Sequence, residues 1–317
     1  MMQKLTAYFI TQPTLQKILF IGIVSCCLLP FLSAPLALVL GFFTAQLIGN
    51  PYQERTKKLI HTLLQASVVG LGFGIKTSSA LHAGRDGFIF TIVSIILVLL
   101  LGFLLAKILK INKITTYLIT VGTAICGGSA IAAISPIVRA KPNQISIALA
   151  IIFSLNATAL IIFPVIGSFL NLSQYHFGLW CAIAIHDTSA VVGAASKYGA
   201  EALQVATTVK LTRALWIIPL SLFSVILFKT KGTKIKIPWF IGFFIIAMIL
   251  NTYFPTIQNI SPIILHISKI GLTITLFLIG ASLSFKTLKN IELKALLLAI
   301  LLWLFISCTS LLVILKM

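Results

Sequence analysis

Charge is what this sequence has least of. Only 9% of its 317 residues are charged, and just five, Glu54, Asp86, Asp187, Glu201 and Glu292, are acidic. A soluble domain carries about 25% charged residues, so this chain has too few to build a surface facing water. Catalytic signatures are missing as well. There is no HExxH, no GxSxG and no CxxC metal pair, and the five histidines at 61, 82, 176, 186 and 266 are scattered over separate stretches. No metal, no cofactor and no enzymatic activity are expected; an intramembrane enzyme built on His186 and Asp187 is the weaker reading. The five cysteines, Cys26, Cys27, Cys126, Cys181 and Cys308, are odd in number and sit inside apolar runs, which is not a disulfide framework. Polar linkers and low-complexity tracts are lacking too, so residues 1–317 are read as a single transmembrane transporter domain.

What is present is hydrocarbon. Hydrophobic residues make up 59% of the chain, and the mean hydropathy is +1.11. At about 17–25 apolar residues per crossing, the sequence divides into about 11 transmembrane helices: 17–33, 34–49, 59–76, 88–106, 116–138, 145–168, 176–196, 202–228, 238–253, 263–285 and 292–315. The fold class is therefore an all-α polytopic membrane protein. Lys4, Lys17 and the run from Ile18 to Leu32 imitate a signal peptide loosely, but the apolar runs that follow favour an uncleaved first crossing. The formal charge of +19 comes from cations between apolar runs rather than from a nucleic-acid patch. With the N-terminus inside, 15 of the 24 Lys and Arg fall on the cytoplasmic side, 6 on the other, and 3 within crossings. That bias predicts a cytoplasmic N-terminus and a periplasmic C-terminus. The partners expected are the bilayer and a small anion, with no nucleic acid; oligomeric state is left open.

The cations counted within crossings are Lys210, Arg213 and Lys269. Lys269 lies close enough to one surface to snorkel. Asp187, by contrast, lies roughly 15 Å from the end of its crossing, and Lys210 and Arg213 roughly 12–17 Å into the next. In an antiparallel hairpin all three reach one level near the bilayer centre. Lys210 and Arg213 are three apart and share a helix face. An ion pair from Asp187 to one of them would leave a positive surplus, which suits an anion; a purely structural buried bridge is the competing reading. Gly127 and Gly128 reach a similar depth, where they either break the helix or serve close packing. After a break, the N–H groups from Ser129 onward would form the positive end of a half-helix. Asn156 is a hydrogen-bonding group at that depth, and His186 beside Asp187 a candidate proton relay. The candidate substrate-binding set is thus Lys210, Arg213, Gly127, Gly128, Ser129, Ser189 and Asn156, with Asp187 and His186 for proton or ion coupling.

Internal likeness supports that grouping. CGGSAIAAI (Cys126 to Ile134) aligns with HDTSAVVGA (His186 to Ala194) at an offset of 60 and places Ser189 beside Ser129. ALIIFP at 159 matches ALWIIP at 214, and LGFGI at 71 matches IGASL at 279. Many transporters are built from such repeats, with the site at their interface; chance likeness among small-residue helices is the alternative.

GTAICGGSAIAAISP (Gly122 to Pro136), FGLWCAIAIHDTSAVVGAA (Phe177 to Ala195) and TVKLTRALWIIP (Thr208 to Pro219) together resemble the YeiH-like family of bacterial inner-membrane proteins. The resemblance extends over nearly the whole chain, including LGFGIK and the PWFIGF at Pro238. It implies a sulfate-exporter function and a fold similar to the cation/proton antiporter and anion transporter group, with inverted repeats and broken helices. The sequence therefore leads to a secondary transporter of a small anion such as sulfate, sulfite or a sulfonate, with proton coupling. The alternative is a cation/proton antiporter using Asp187 as ion ligand.

Overall fold

The computed structural model describes residues 13–28, 32, 34–229, 239–282 and 292–317. Lys4, the loop cations Lys231, Lys234, Lys236, Lys286 and Lys289, and the repeat position Leu283 lie outside them. The described residues form fourteen α-helices in chain order: α1 Pro13–Ser25, α2 Ala34–Leu47, α3 Gln53–Gly72, α4 Thr77–Leu109, α5 Lys113–Ala124, α6 Gly128–Ile134, α7 Pro142–Phe169, α8 Gln174–Ala184, α9 Thr188–Tyr198, α10 Ala200–Ala214, α11 Ile217–Leu227, α12 Trp239–Tyr253, α13 Pro255–Ser282 and α14 Leu293–Ile314. All-helical structure is what lipid demands, because a helix satisfies its own backbone polar groups. Among the described residues five stretches are both long and apolar enough to cross a bilayer: Phe90–Leu109, Asn143–Phe169, Ala200–Leu227, Pro255–Ser282 and Leu293–Ile314. The windows at 116–138 and 176–196 fail that length test because each is interrupted half-way, between α5 and α6 and between α8 and α9.

Packing divides the chain into two units, each assembled from two separated segments: 1–77 with 240–287, and 78–239 with 288–317. A search for linkers has nothing to find in such an arrangement. In the first unit α13 packs along α2 and α3. Glycine and serine permit that approach, as they do where lipid offers no hydrophobic drive. A side chain at Gly41 would collide with the Phe277 carbonyl, and one at Gly280 with the Leu38 carbonyl. Gly70 faces Ser268, and Gly271 faces Ser67, in a reciprocal pair between α3 and α13. Gly72 and Gly280, which the LGFGI/IGASL likeness aligns, are both contact glycines of this kind.

In the second unit α8 packs against α10, where a Cβ on Gly178 would stand 2.9 Å from both the Ala202 carbonyl and Val205. The α8–α14 contact carries a bond from Trp180 Nε1 to the Ser307 carbonyl (3.0 Å), and Trp180 stacks on Phe163 of α7 at 4.1 Å. Asn112 caps α5 through the N–H groups of Ile114 and Thr115, and Ser173 caps α8 through that of His176. α10 and α11 meet at Leu215–Trp216, four and three residues ahead of Pro219. A proline removes one helical bond and crowds the carbonyl four back, which accounts for the interruption there. Pro164, by contrast, sits inside the continuous α7.

Gly280→Val should lower stability by about 1–3 kcal/mol, since an inserted side chain must push α13 from α2. Gly242→Val, where a Cβ would meet nothing within 4 Å, should stay within about 0.5 kcal/mol. Heat-induced aggregation of the two variants in detergent, read by size exclusion, separates them.

Candidate functional site

The two interrupted helices belong to the second unit, and their interruptions match in register. α5 ends at Ala124 and α6 begins at Gly128; α8 ends at Ala184 and α9 begins at Thr188. Both ends and both starts are 60 residues apart, the offset at which the sequence aligns with itself. At the first break Gly127 takes φ +63°, a conformation that suits glycine, and its N–H closes the end of α5 on the Gly122 carbonyl at 2.8 Å. The breaks touch. A Cβ on Gly127 would stand 3.4 Å from the backbone nitrogen of Asp187, and one on Gly128 would meet Phe153 of α7 at 3.0 Å.

Each break leaves helix-end carbonyls without intrahelical partners, and α10 supplies theirs. Lys210 Nζ donates to the carbonyls of Ile125 (3.2 Å), Ala182 (3.2 Å) and Ile185 (2.6 Å). Arg213 donates to Ala124 from Nε (2.9 Å) and Nη2 (2.6 Å), and to Ile183 from Nη1 (2.8 Å). Both side chains are 0% exposed. The two cations therefore tie the C-terminal ends of α5 and α8 together, where each half-helix carries about −0.5 of a charge.

The other side of the second break is held differently. Asp187 is the N-cap of α9, and its carboxylate accepts from the backbone N–H of Ser189 at 3.0 Å and from the Ser189 hydroxyl. Asn156, from the middle of α7, accepts on Oδ1 from the N–H groups of His186 (3.0 Å) and Asp187 (3.2 Å). An ion pair from Asp187 to Lys210 or Arg213 was expected from sequence. Instead the carboxylate bonds Ser189, and all three ammonium protons of Lys210 are engaged by carbonyls. Ser189, expected to offer its N–H to a solute, gives it to Asp187. Ser129 is exposed and donates to the Cys126 carbonyl at 3.3 Å.

Some of the unmet hydrogen-bonding capacity among the described residues lies on the break residues and on the helices that meet there. Asn156 Nδ2 and both ring nitrogens of His186 are buried without a partner, as are the hydroxyls of Thr123 on α5 and Thr208 on α10. His186 is thus not bonded through its ring to Asp187. Thr123 and Thr208 were missed by sequence reasoning. Their signal was weak: each lies two residues from a lock position, Ile125 or Lys210, but threonine in an apolar helix usually bonds back to a carbonyl one turn earlier, as Thr207 does. An open cleft of about 530 Å³ in the first unit is a lesser candidate, because its lining includes a single charge, the exposed Lys76. Among the described residues no cluster of three or more His, Cys, Asp or Glu could hold a metal.

The profile of the family described as conserved hypothetical protein 698 matches residues 15–299. The chain belongs to this family. Its members include UPF0324 membrane proteins from Bacteroides thetaiotaomicron, 52% identical over 89% of this chain and 86% of that one, and from Shewanella oneidensis, 48% identical over 93% of each. A UPF0324 membrane protein of Geobacter sulfurreducens is 41% identical over 92% of this chain and 94% of its own. This is the YeiH-like group to which the three motifs pointed. No solved structure matches the chain.

Removing one partner of a buried charged network leaves the other groups unpaired, at about 3–5 kcal/mol. Arg213→Ala should therefore cut folded yield and thermal stability sharply. Arg213→Lys should recover only part, because a lysine cannot reproduce the two-nitrogen grip on Ala124. Asn156→Leu should cost about 1–3 kcal/mol by orphaning two backbone N–H groups. Thermal unfolding in detergent measures all three.

Proposed function

We propose that the protein is a secondary transporter of the bacterial inner membrane that moves a small inorganic or organic anion, such as sulfate, sulfite or a sulfonate, through the crossing of the two breaks. In this reading the chain makes eleven crossings from a cytoplasmic N-terminus to a periplasmic C-terminus, with inverted repeats in its architecture. The observation that carries it is the meeting of two helix breaks at Gly127 and Asp187, with two buried cations and one carboxylate around them. Interrupted helices at mid-membrane are where transporters hold their solutes, and ionisable residues at that depth are retained for function.

The roles follow from the contacts. Lys210 and Arg213 hold the half-helix ends and set a positive potential, and an anion approaching Ser129 and Asn156 meets that field. Gly127 and Gly128 keep the approach free of side chains. Asp187, held by Ser189, offsets the positive charge when the site is empty and exchanges a proton as the solute enters, with the unbonded ring of His186 as its neighbour in the chain. A second reading, a cation/proton antiporter with Asp187 as ion ligand, draws on the same carboxylate, which is 7% exposed within the break.

Proteoliposomes distinguish the two. Uptake should depend on sulfate or sulfite and be indifferent to sodium, and Asp187→Asn should lose proton coupling while keeping anion exchange. Sodium-driven proton movement abolished by Asp187→Asn would establish the second reading. Normal transport by both Lys210→Ala and Arg213→Ala would sink the first.

A further inference from the structure

We infer that the crossing is charge-balanced by one negative charge, so that its ligand is a monovalent oxyanion in preference to a dianion. The inference rests on the transport reading above and narrows the substrate class of the same site.

The charge count uses few groups. Lys210 and Arg213, both wholly buried, bring two positive charges, and Asp187 brings one negative. The half-helix ends nearly cancel: two C-termini, at about −0.5 each, end at the breaks from which two N-termini, at about +0.5 each, begin. Among the described side chains of these elements the remainder is a single positive charge. The nearest other charges on these elements, Lys197 and Glu201, are not buried and flank Gly199, the turn between α9 and α10. An uncompensated unit charge in a low-dielectric interior is heavily penalised. One negative charge on the solute removes that penalty, and two would recreate it with the opposite sign.

The hydrogen-bonding groups point to the same class. Both cations are engaged by carbonyls, so recognition falls to the unpartnered neutral groups at the breaks. Asn156 Nδ2 can donate two N–H bonds, the His186 ring one, and the Thr123 hydroxyl one. Such donors suit the oxygens of a sulfonate, hydrogensulfite or carboxylate. A dianion such as sulfate meets the balance only when Asp187 carries a proton, so that solute and proton together still bring one negative charge.

The test uses purified full-length protein at fixed pH and at ionic strength held with chloride. Thermal stabilisation is measured against methanesulfonate, acetate and sulfate, together with uptake of labelled methanesulfonate and sulfate into proteoliposomes. Methanesulfonate should half-saturate at a concentration at least about tenfold below sulfate, since one unbalanced buried charge exceeds the roughly 1.4 kcal/mol that a tenfold difference represents. Asp187→Asn, which raises the fixed charge to two, should reverse that order. Sulfate binding as tightly as methanesulfonate to the wild type overturns the inference and leaves the transport reading standing. An unchanged order in a folded Asp187→Asn protein also overturns it. If neither anion stabilises the protein or enters vesicles, both fall together.

Discussion

A helix that stops inside a membrane exposes carbonyls that water cannot reach, and this structure stops two of them at one place. Everything around the crossing answers that constraint. The carbonyls of Ala124, Ile125, Ala182, Ile183 and Ile185 require donors, and charged donors are the strong ones. Lys210 and Arg213 are one turn apart on α10, so a single helix reaches both ends. The same contacts bring together the negative ends of two half-helices, which would otherwise repel. The lock is therefore structural first, and in the proposed reading it also sets a positive potential at the breaks.

The elements beyond the lock serve to hold the breaks in register. α7 runs unbroken past both and lends Asn156 to one. α8 is clamped by Trp180 to α14 and by Gly178 to α10, so the end of α8 cannot drift from the cations. Tyr117 of α5 bonds Ser224 of α11 at 2.7 Å, which ties the first broken helix to the continuation of the helix that carries the lock. A site held so closely presents its unbonded groups in fixed directions, and that favours selective binding over a loose polar passage.

Much of this was legible in the residues. The nearness of Lys210 to the stretch around Asp187 followed from counting along helices, and the glycine pair together with the 60-residue likeness marked where the helices break. The direction in which the cations point was not legible. Periodicity places Lys210 and Arg213 on one face, but the partners of that face depend on carbonyls freed by breaks 25 to 89 residues away in the chain. Proximity in depth made Asp187 the natural counter-ion, yet N-cap geometry binds a carboxylate to the N–H two residues ahead before any distant cation can compete. The two-unit organisation was invisible for a related reason, because each unit joins an early segment to a late one and leaves no seam in composition.

The likeness between the two breaks preserves position and not chemistry, and that asymmetry gives the crossing its polarity. Cys126, Gly127 and Gly128 stand where His186, Asp187 and Thr188 stand sixty residues later. At the second break the helix start brings its own carboxylate and is neutralised by it. At the first there is no acid, and Gly127 leaves the backbone bare against Asp187. Two equivalent starts each capped by an acid would cancel both cations and leave no field for an anion. Two bare starts would leave two positive charges buried together, an arrangement too costly to persist without a bound ion. One acid between two breaks is the intermediate case, in which, under the proposed transport reading, the fold tolerates an empty site and still gains from filling it.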